Sequence, residues 1–464
     1  MVFSSLEFLL RFLPAVLLVY WCLPRRLKNP FLLVASLFFY AWGEPVYVAL
    51  MIASCVVNYA LGLAIDRYRG TTTATAALVA SIVANLLALG FWKYADFLVE
   101  TANKVFRLGI GHLGLPLPIG ISFYTFQAVS YVVDVYRGRA PVQRNPVTLA
   151  TYITLFPQLV AGPIVRYPSI AEELDLRTHS LDLFAQGVHR FVLGLGKKVL
   201  IADNVGAIWT SATATAAPSV LGSWLGIVAY ALQIYFDFSG YSDMAIGLGR
   251  MLGFHLPENF DFPYTSQSVT EFWRRWHMSL GQWFRDYLYI PLGGNRVQQV
   301  KWVRNVLVVW FLTGLWHGAS WNFGLWGLYF GVLLMAEKLF LGVLLERLPR
   351  VLRHAYALLI VLIGWVMFEL GSVPEILGYL GDMFALNGIA LYNAESLYAL
   401  RSNLVLLLIA MIAAVPLAKS VYEKVSGAAL VRAVVMPAFY VLVLVVSIAY
   451  VVDSSFSPFL YFRF

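Results

Sequence analysis

Two histidines stand where an imidazole is costly to place. His317 closes the apolar run 303–317 within FLTGLWHGASW. Gly314, Gly318 and Ala319 leave room there for close backbone approach, and Trp316 and Trp321 wall the position. An ionisable group inside a membrane span is a functional candidate by default, because burying it costs several kcal/mol unless it is paired. With a reference pKa of about 6.5, a neutral imidazole can take a proton from an attacking hydroxyl at pH 7. The competing reading of His317 is a hydrogen bond that holds helices together in the bilayer. His277 lies in EFWRRWHMSLGQWF, one helical turn after Trp273. It would bind substrate, serve as a second acid–base group, or simply pack. No Asp or Glu stands at metal-ligand spacing to the two histidines, so no metal site is expected.

Two polar stripes accompany the histidines. Tyr124, Gln127, Tyr131 and Asp134 share one helix face, as do Gln233, Asp237 and Tyr241. Such faces hold helices together in lipid, or together bound a polar cavity. Arg274 and Arg275 offer guanidinium groups to phosphate or to lipid headgroups. The chain ends in SSFSPFLYFRF, residues 454–464, with a single hydroxyl among its aromatic rings, that of Tyr461.

The elements that must position these groups are membrane helices. The composition is 60% hydrophobic and 12% charged, against roughly 25% charged in soluble domains. Long apolar runs recur from the first residues to the last. Spans are expected at 6–24, 30–42 running on to 45–64, 76–98, 117–135, 147–165, 182–202, 219–250, 303–317, 321–345, 354–371, 402–418 and 433–452, giving about ten to twelve crossings. Residues 1–464 read as one all-α polytopic membrane domain. The start carries its positive charges after the apolar stretch, so a retained first span is expected over a cleaved leader. Cys22 and Cys55 support neither a disulfide framework nor a thiolate site.

The net charge of +8 comes from small Lys/Arg clusters between spans. These read as orientation signals, and no basic stretch supports a nucleic-acid partner. Arg25, Arg26 and Lys28 after the first span, and Lys419, Lys424 and Arg432 before the last, place both chain ends outside. The terminal aromatics would then lie at the outer membrane–water boundary. Residues 254–301 form the longest stretch that is not simply apolar. There SVTEFWRRWHMSLGQWF predicts a short amphipathic, interfacial or re-entrant helix, and PLGGNR, with Asn295, a turn.

Several of these stretches together resemble the membrane-bound O-acyltransferase (MBOAT) family, closest to its bacterial polysaccharide O-acetyltransferase branch. They are LPIGISFYTFQAVSYVVDVYRG, FPQLVAGPIVRY, YFDFSGYSDMAIGLGRMLGF, NFDFPY, EFWRRWHMSLGQWFRDYLYIPLGGNR and LTGLWHGASWNFGLWG. The resemblance covers most of residues 1–335. It implies helices around a funnel and tunnel, with an acyl thioester entering from the cytoplasmic side. The family's near-invariant histidine corresponds to His317 and its second histidine to His277. Acetyl-coenzyme A is the implied donor. Trp273, Arg274, Arg275, Trp276, Asn295, Trp316, Asp237, Tyr241 and Gln127 are candidates for donor or substrate binding.

A cytoplasmic donor and an external glycan require the acyl group to cross the membrane. Phe459-Leu460-Tyr461-Phe462-Arg463-Phe464 resembles a carboxy-terminal motif of related envelope-acylation systems, which implies Tyr461 as an acyl relay. Its other reading is an interfacial aromatic anchor. A bacterial inner-membrane location is implied, with a periplasmic SGNH-type acetyltransferase as partner and a polysaccharide acceptor downstream. D-alanyl or other acyl transfer to another envelope polymer is the alternative within the family. A lipid-linked sugar transporter or flippase, or a subunit that only recruits a periplasmic transferase, are alternatives outside it.

Overall fold

The computed structural model describes residues 1–425, 427–453 and 459–460. These form an all-α chain. Among the described residues there is no strand, only an isolated parallel bridge between Ser219 and Ala390. Seven of the described helices are long and apolar enough to cross a membrane: Val48–Arg67, Thr72–Phe106, Val220–Met251, Trp321–Glu346, Arg350–Glu369, Ala394–Ala413 and Val431–Asp453. Phe8–Cys22 is apolar but shorter. The protein is a multi-pass membrane protein. The helices Arg25–Gly43, Leu181–Gly196 and Gln299–His317, over the expected spans 30–42, 182–202 and 303–317, are not among these seven, and two further expected spans take other forms. Residues 117–135 become the helix Ile121–Tyr136, buried from Ile121 to Val135. Residues 147–165 break at Leu155 into Pro146–Thr154 and Phe156–Leu159. Pro157 explains the break, since it has no N–H to donate back to Ile153 and its ring would clash with that carbonyl.

The chain divides into two compact units, Met1–Phe191 with Ser242–Glu258, and Val192–Tyr241 with Asn259–Phe464. The helix Val220–Met251 contributes to both.

In the first unit, Phe3, Phe8, Phe12, Phe39 and Phe156 are buried and meet in tilted or edge-on pairs, such as Phe3–Phe8 at 5.0 Å and Phe12–Phe156 at 5.4 Å between ring centres. Each such pair adds about 0.5–1.5 kcal/mol beyond area burial. Helices Val48–Arg67 and Thr72–Leu89 are joined by polar side chains. Asn85 Nδ2 and Ser81 Oγ both donate to Asn58 Oδ1 at 2.8 Å. In an apolar surround this replaces unsatisfied amides with interhelical bonds, worth about 0.6–2 kcal/mol each.

In the second unit, glycines set the spacing of Gln299–His317 against Trp321–Ala336. A Cβ on Gly314 would collide with the Phe323 carbonyl oxygen, and one on Gly327 with the Trp310 carbonyl. The two backbones therefore touch along a small-residue seam. The three residues Gly318, Ala319 and Ser320 turn the chain between the two helices, and His317 is the last residue of the first.

Candidate active site

The second unit holds both histidines. His317 is 3% exposed at the end of its helix, ringed by Trp316, Trp326 and Phe368 at centroid distances of 5.0, 5.2 and 5.4 Å. His277 is 2% exposed, and its ring centre lies 6.4 Å from that of His317. The two imidazoles, forty residues apart in sequence, are thus close enough to address one substrate group.

The local structure around His277 departs from the continuous helix expected over SVTEFWRRWHMSLGQWF. Ser268 caps the start as its spacing predicts, its hydroxyl oxygen accepting from the Glu271 N–H at 3.0 Å. The helix then stops at Arg275, and a second one runs Met278–Phe284. His277 between them adopts left-handed backbone, φ 44° and ψ 52°. Asn259 clamps this break. Its carbonyl accepts the Met278 N–H at 3.0 Å. Its side-chain Oδ1 accepts from Ser279 N–H at 3.2 Å and Ser279 Oγ at 2.9 Å, and faces His277 Nδ1 at 3.2 Å. An oxygen that accepts two donors obliges Nδ1 to be the third, so the proton sits on Nδ1 and the lone pair on Nε2. Burial pushes the His277 imidazole down to about 3, keeping it neutral at physiological pH.

A cavity of about 890 Å³ opens beside His277 and is lined by Trp273, Arg274, Trp276, His277, Asn295 and Arg353, among others. Trp276 is buried against Trp365 at 4.8 Å and Phe260 at 5.1 Å, and Trp273 meets Trp310 and Phe330 at 4.9 Å each. These rings give the cavity a rigid apolar wall. Arg274 makes no ion pair among the described residues, so its guanidinium is available to an anion. Arg275 is placed differently. It pairs with Glu271 at 3.0 Å and Asp261 at 3.2 Å, bracing the short helix, and does not line the cavity.

The remaining candidates separate. Trp316 packs edge-on against both histidines, 5.0 Å from His317 and 5.9 Å from His277. Asp237 and Tyr241 receive the carboxy-terminal segment. The Leu460 N–H donates to Asp237 Oδ2 at 2.8 Å, and the Phe459 ring lies 4.8 Å from that of Tyr241 and 5.8 Å from that of Phe238, which in turn packs 4.7 Å from His277. Phe459 and Leu460 are buried. Tyr461 lies outside the described residues. Gln127 belongs to the first unit, buried, with neither amide atom hydrogen-bonded among the described residues.

Sequence reasoning missed three supporting residues. Asn259 is one. Glu337 is another, its carboxylate accepting from the Val269 N–H at 2.7 Å and from the Thr270 N–H and hydroxyl at 2.8 and 2.6 Å, which fixes the start of the helix below His277. The third is Lys198, which bridges Asp203 at 2.5 Å and Asp237 at 2.8 Å and so holds the tail's acceptor in place. A lone acid in the apolar run 321–345 and a lysine closing 182–202 were the available signals. Among the described residues no three His, Cys, Asp or Glu side chains gather as a metal site.

Residues 139–371 match the model of the membrane-bound O-acyltransferase family. The whole chain is 40% identical to the whole of the "Probable alginate O-acetylase AlgI" of Azotobacter vinelandii. The Helicobacter pylori peptidoglycan O-acetyltransferase is 35% identical over 84% of this chain and 81% of its own. The Bacillus subtilis teichoic acid D-alanyltransferase is 30% identical over 48% of this chain and 59% of its own. With two buried histidines side by side in an all-α membrane chain, one of them lining a large cavity, and with these relatives, the chain belongs to the membrane-bound O-acyltransferase family and is a membrane O-acyltransferase.

Proposed function

We propose that this enzyme moves an acetyl group from a cytoplasmic thioester, acetyl-coenzyme A, across the inner membrane for O-acetylation of an extracytoplasmic polysaccharide. The observation that carries the reading is the pair of buried imidazoles with ring centres 6.4 Å apart, one of which, His277, lines the 890 Å³ cavity. Full-length likeness to an alginate O-acetylase favours acetyl over D-alanyl transfer, since the D-alanyl likeness covers only half of the chain.

His317 acts as base. It takes the proton of the attacking hydroxyl as that oxygen bonds to the thioester carbon. The carbon–sulfur bond then breaks, and the departing thiolate recovers the proton from the imidazolium, leaving neutral histidine. His277, held neutral by burial and oriented by Asn259, positions the donor or assists the second step. The aromatic walls exclude water that would hydrolyse the thioester. Arg274 and Arg353 on the cavity wall offer donors to the phosphates of the coenzyme arm.

Tyr461 is the acceptor of the first transfer in this reading, and passes the group to a periplasmic SGNH-type partner. The burial of Phe459 and Leu460, the two residues that precede it, supports a tail that enters the bundle. The carboxy terminus then faces the outside, as the basic clusters expect.

Incorporation of labelled acetyl from acetyl-coenzyme A into polymer, measured in membranes, tests the reading. His317→Ala is expected to lower the rate by about 10²–10⁴-fold. Full transfer in that variant refutes the base assignment. Tyr461→Phe is expected to abolish transfer to polymer, and base-labile acetyl on Tyr461 should be recovered when the downstream partner is absent. Normal polymer acetylation in Tyr461→Phe ends the relay.

A further inference from the structure

A second polar cavity, of about 410 Å³, lies wholly within the first unit. Its walls come from the start of the helix Arg25–Gly43, from Asn145 to Thr148, and from Leu174 to His179. Lys28 and Arg177 are each 9% exposed, and neither makes an ion pair among the described residues. Both converge on Tyr20. Lys28 Nζ sits 4.4 Å above its ring, and Arg177 Nε donates to its hydroxyl at 2.7 Å. Arg177 Nη1 donates to Asn29 Oδ1 at 2.8 Å and to the Leu174 carbonyl at 3.2 Å, while Nη2 is buried with no hydrogen-bond partner among the described residues. Among the described residues the one hydrogen-bonding neighbour of Lys28 Nζ is His179 Nε2, at 3.3 Å. Arg25 and Arg26 stand exposed at the rim.

The carboxylates close by do not balance this charge. Glu173 is taken by His255, whose Nδ1 lies 2.6 Å from its Oε1 and whose backbone N–H donates to Oε2 at 2.9 Å. Asp175 is exposed at the rim, and it is its backbone carbonyl that receives Arg25. His179 is held well below its usual range, to about 4, by burial and by Lys28, Arg177 and Arg25, so it stays neutral and can donate one hydrogen bond while accepting another. Two buried cations side by side without a counter-charge are costly, and an anion held between them would offset that cost.

We infer that this cavity is a phosphate site, in which Lys28 and Arg177 receive a phosphoryl group and Arg25 and Arg26 draw it in. Guanidinium and ammonium donors at one point match the several oxygens of a phosphate, and the volume admits a headgroup or a small phosphoester. The group is presented either by an anionic phospholipid at the membrane surface or by a soluble phosphoester. Acyl transfer at the histidines is not needed for the inference, and its test does not read that activity.

The purified full-length protein is tested in two arms. In one, phosphatidylglycerol is added and retained adducts are counted by native mass spectrometry. In the other, thermal stability is followed against inorganic phosphate and glycerol 3-phosphate, with chloride at matched ionic strength as reference. Lys28→Met, which keeps the apolar stem, is expected to weaken binding by about 10- to 100-fold in whichever arm responds, the loss of a charged hydrogen bond. The exposed pair Arg25→Gln with Arg26→Gln should weaken it less, and gives the same comparison if Lys28→Met does not fold. A lipid adduct lost in the variants identifies a headgroup site. A stability shift with soluble phosphates alone, lost in the variants, identifies a phosphoester site. Equal responses of wild type and variants in both arms overturn the inference.

Discussion

Substituting Asp237 by alanine removes the acceptor of a buried backbone bond, the 2.8 Å contact from the Leu460 N–H. Lys198 keeps a carboxylate, because Asp203 remains 2.5 Å away, so the change does not strand a buried cation. What is lost is one hydrogen bond to a charged group, worth about 1.5–3 kcal/mol. That corresponds to about a 10- to 150-fold shift of the tail's docking equilibrium toward release. Asp237→Asn retains an acceptor oxygen and should lose only the charge-assisted part. Hydrogen–deuterium exchange on the protein in nanodiscs reads this directly, since the Leu460 amide exchanges only when the segment opens. Alanine should speed exchange of the peptide containing Leu460 by the factor above, asparagine by less, with peptides of Gln299–His317 unchanged. Polymer acetylation should fall in the same order. Unaltered exchange at Leu460 in Asp237→Ala would show that the aspartate does not hold the tail, and would remove a support for the relay.

Gly314→Ala drives a methyl group into the Phe323 carbonyl, so the helix pair must separate at a cost of at least about 1–3 kcal/mol, lowering both thermal stability and transfer as His317 shifts. Glu337→Ala leaves the Val269 and Thr270 N–H groups without their carboxylate, at about 1–3 kcal/mol for the buried Val269 donor and less for the half-buried Thr270 one. Glu337→Gln should recover part of the stability, and equal melting temperatures for the two would discount the cap. His277 carries a folded-state value of about 3 against an ordinary 6.5. The unfolded chain therefore binds the extra proton first, and the folded state is progressively disfavoured as pH falls from about 6.5 toward 3. His277→Asn should flatten that part of the stability profile, which denaturation between pH 4 and 7 will register.

The membrane class was legible from long apolar runs, and both histidines from their motifs. What brings the histidines together was not. Asn259 acts on a residue 18 positions later, and Glu337 on a helix 67 and 68 positions earlier. Neither separation leaves a periodicity to read. The break at His277 was also hidden, since no Gly or Pro marks it, and the left-handed turn arises from Asn259 gripping the far side. Arg274 and Arg275 look equivalent in sequence, yet successive helical positions point about 100° apart. One therefore faces the cavity and the other its ion partners. That Asp237 receives the Leu460 N–H could not be read from the tail itself, because nothing local announces a buried aspartate more than two hundred residues upstream.

The left-handed backbone of His277 decides which alleles of this enzyme are informative. A residue with a Cβ holds that conformation at a cost of about 1–2 kcal/mol, with asparagine among the least penalised and glycine relieved altogether. Histidine itself is enriched in this region relative to alanine and β-branched residues, so replacing it by either disturbs the backbone of the segment together with its chemistry, and a dead enzyme would say little about either. Glycine could even raise stability while silencing the site. Comparing asparagine with glycine separates the two contributions, so genetic screens scored by growth or polymer yield should weight those two alleles above the customary alanine.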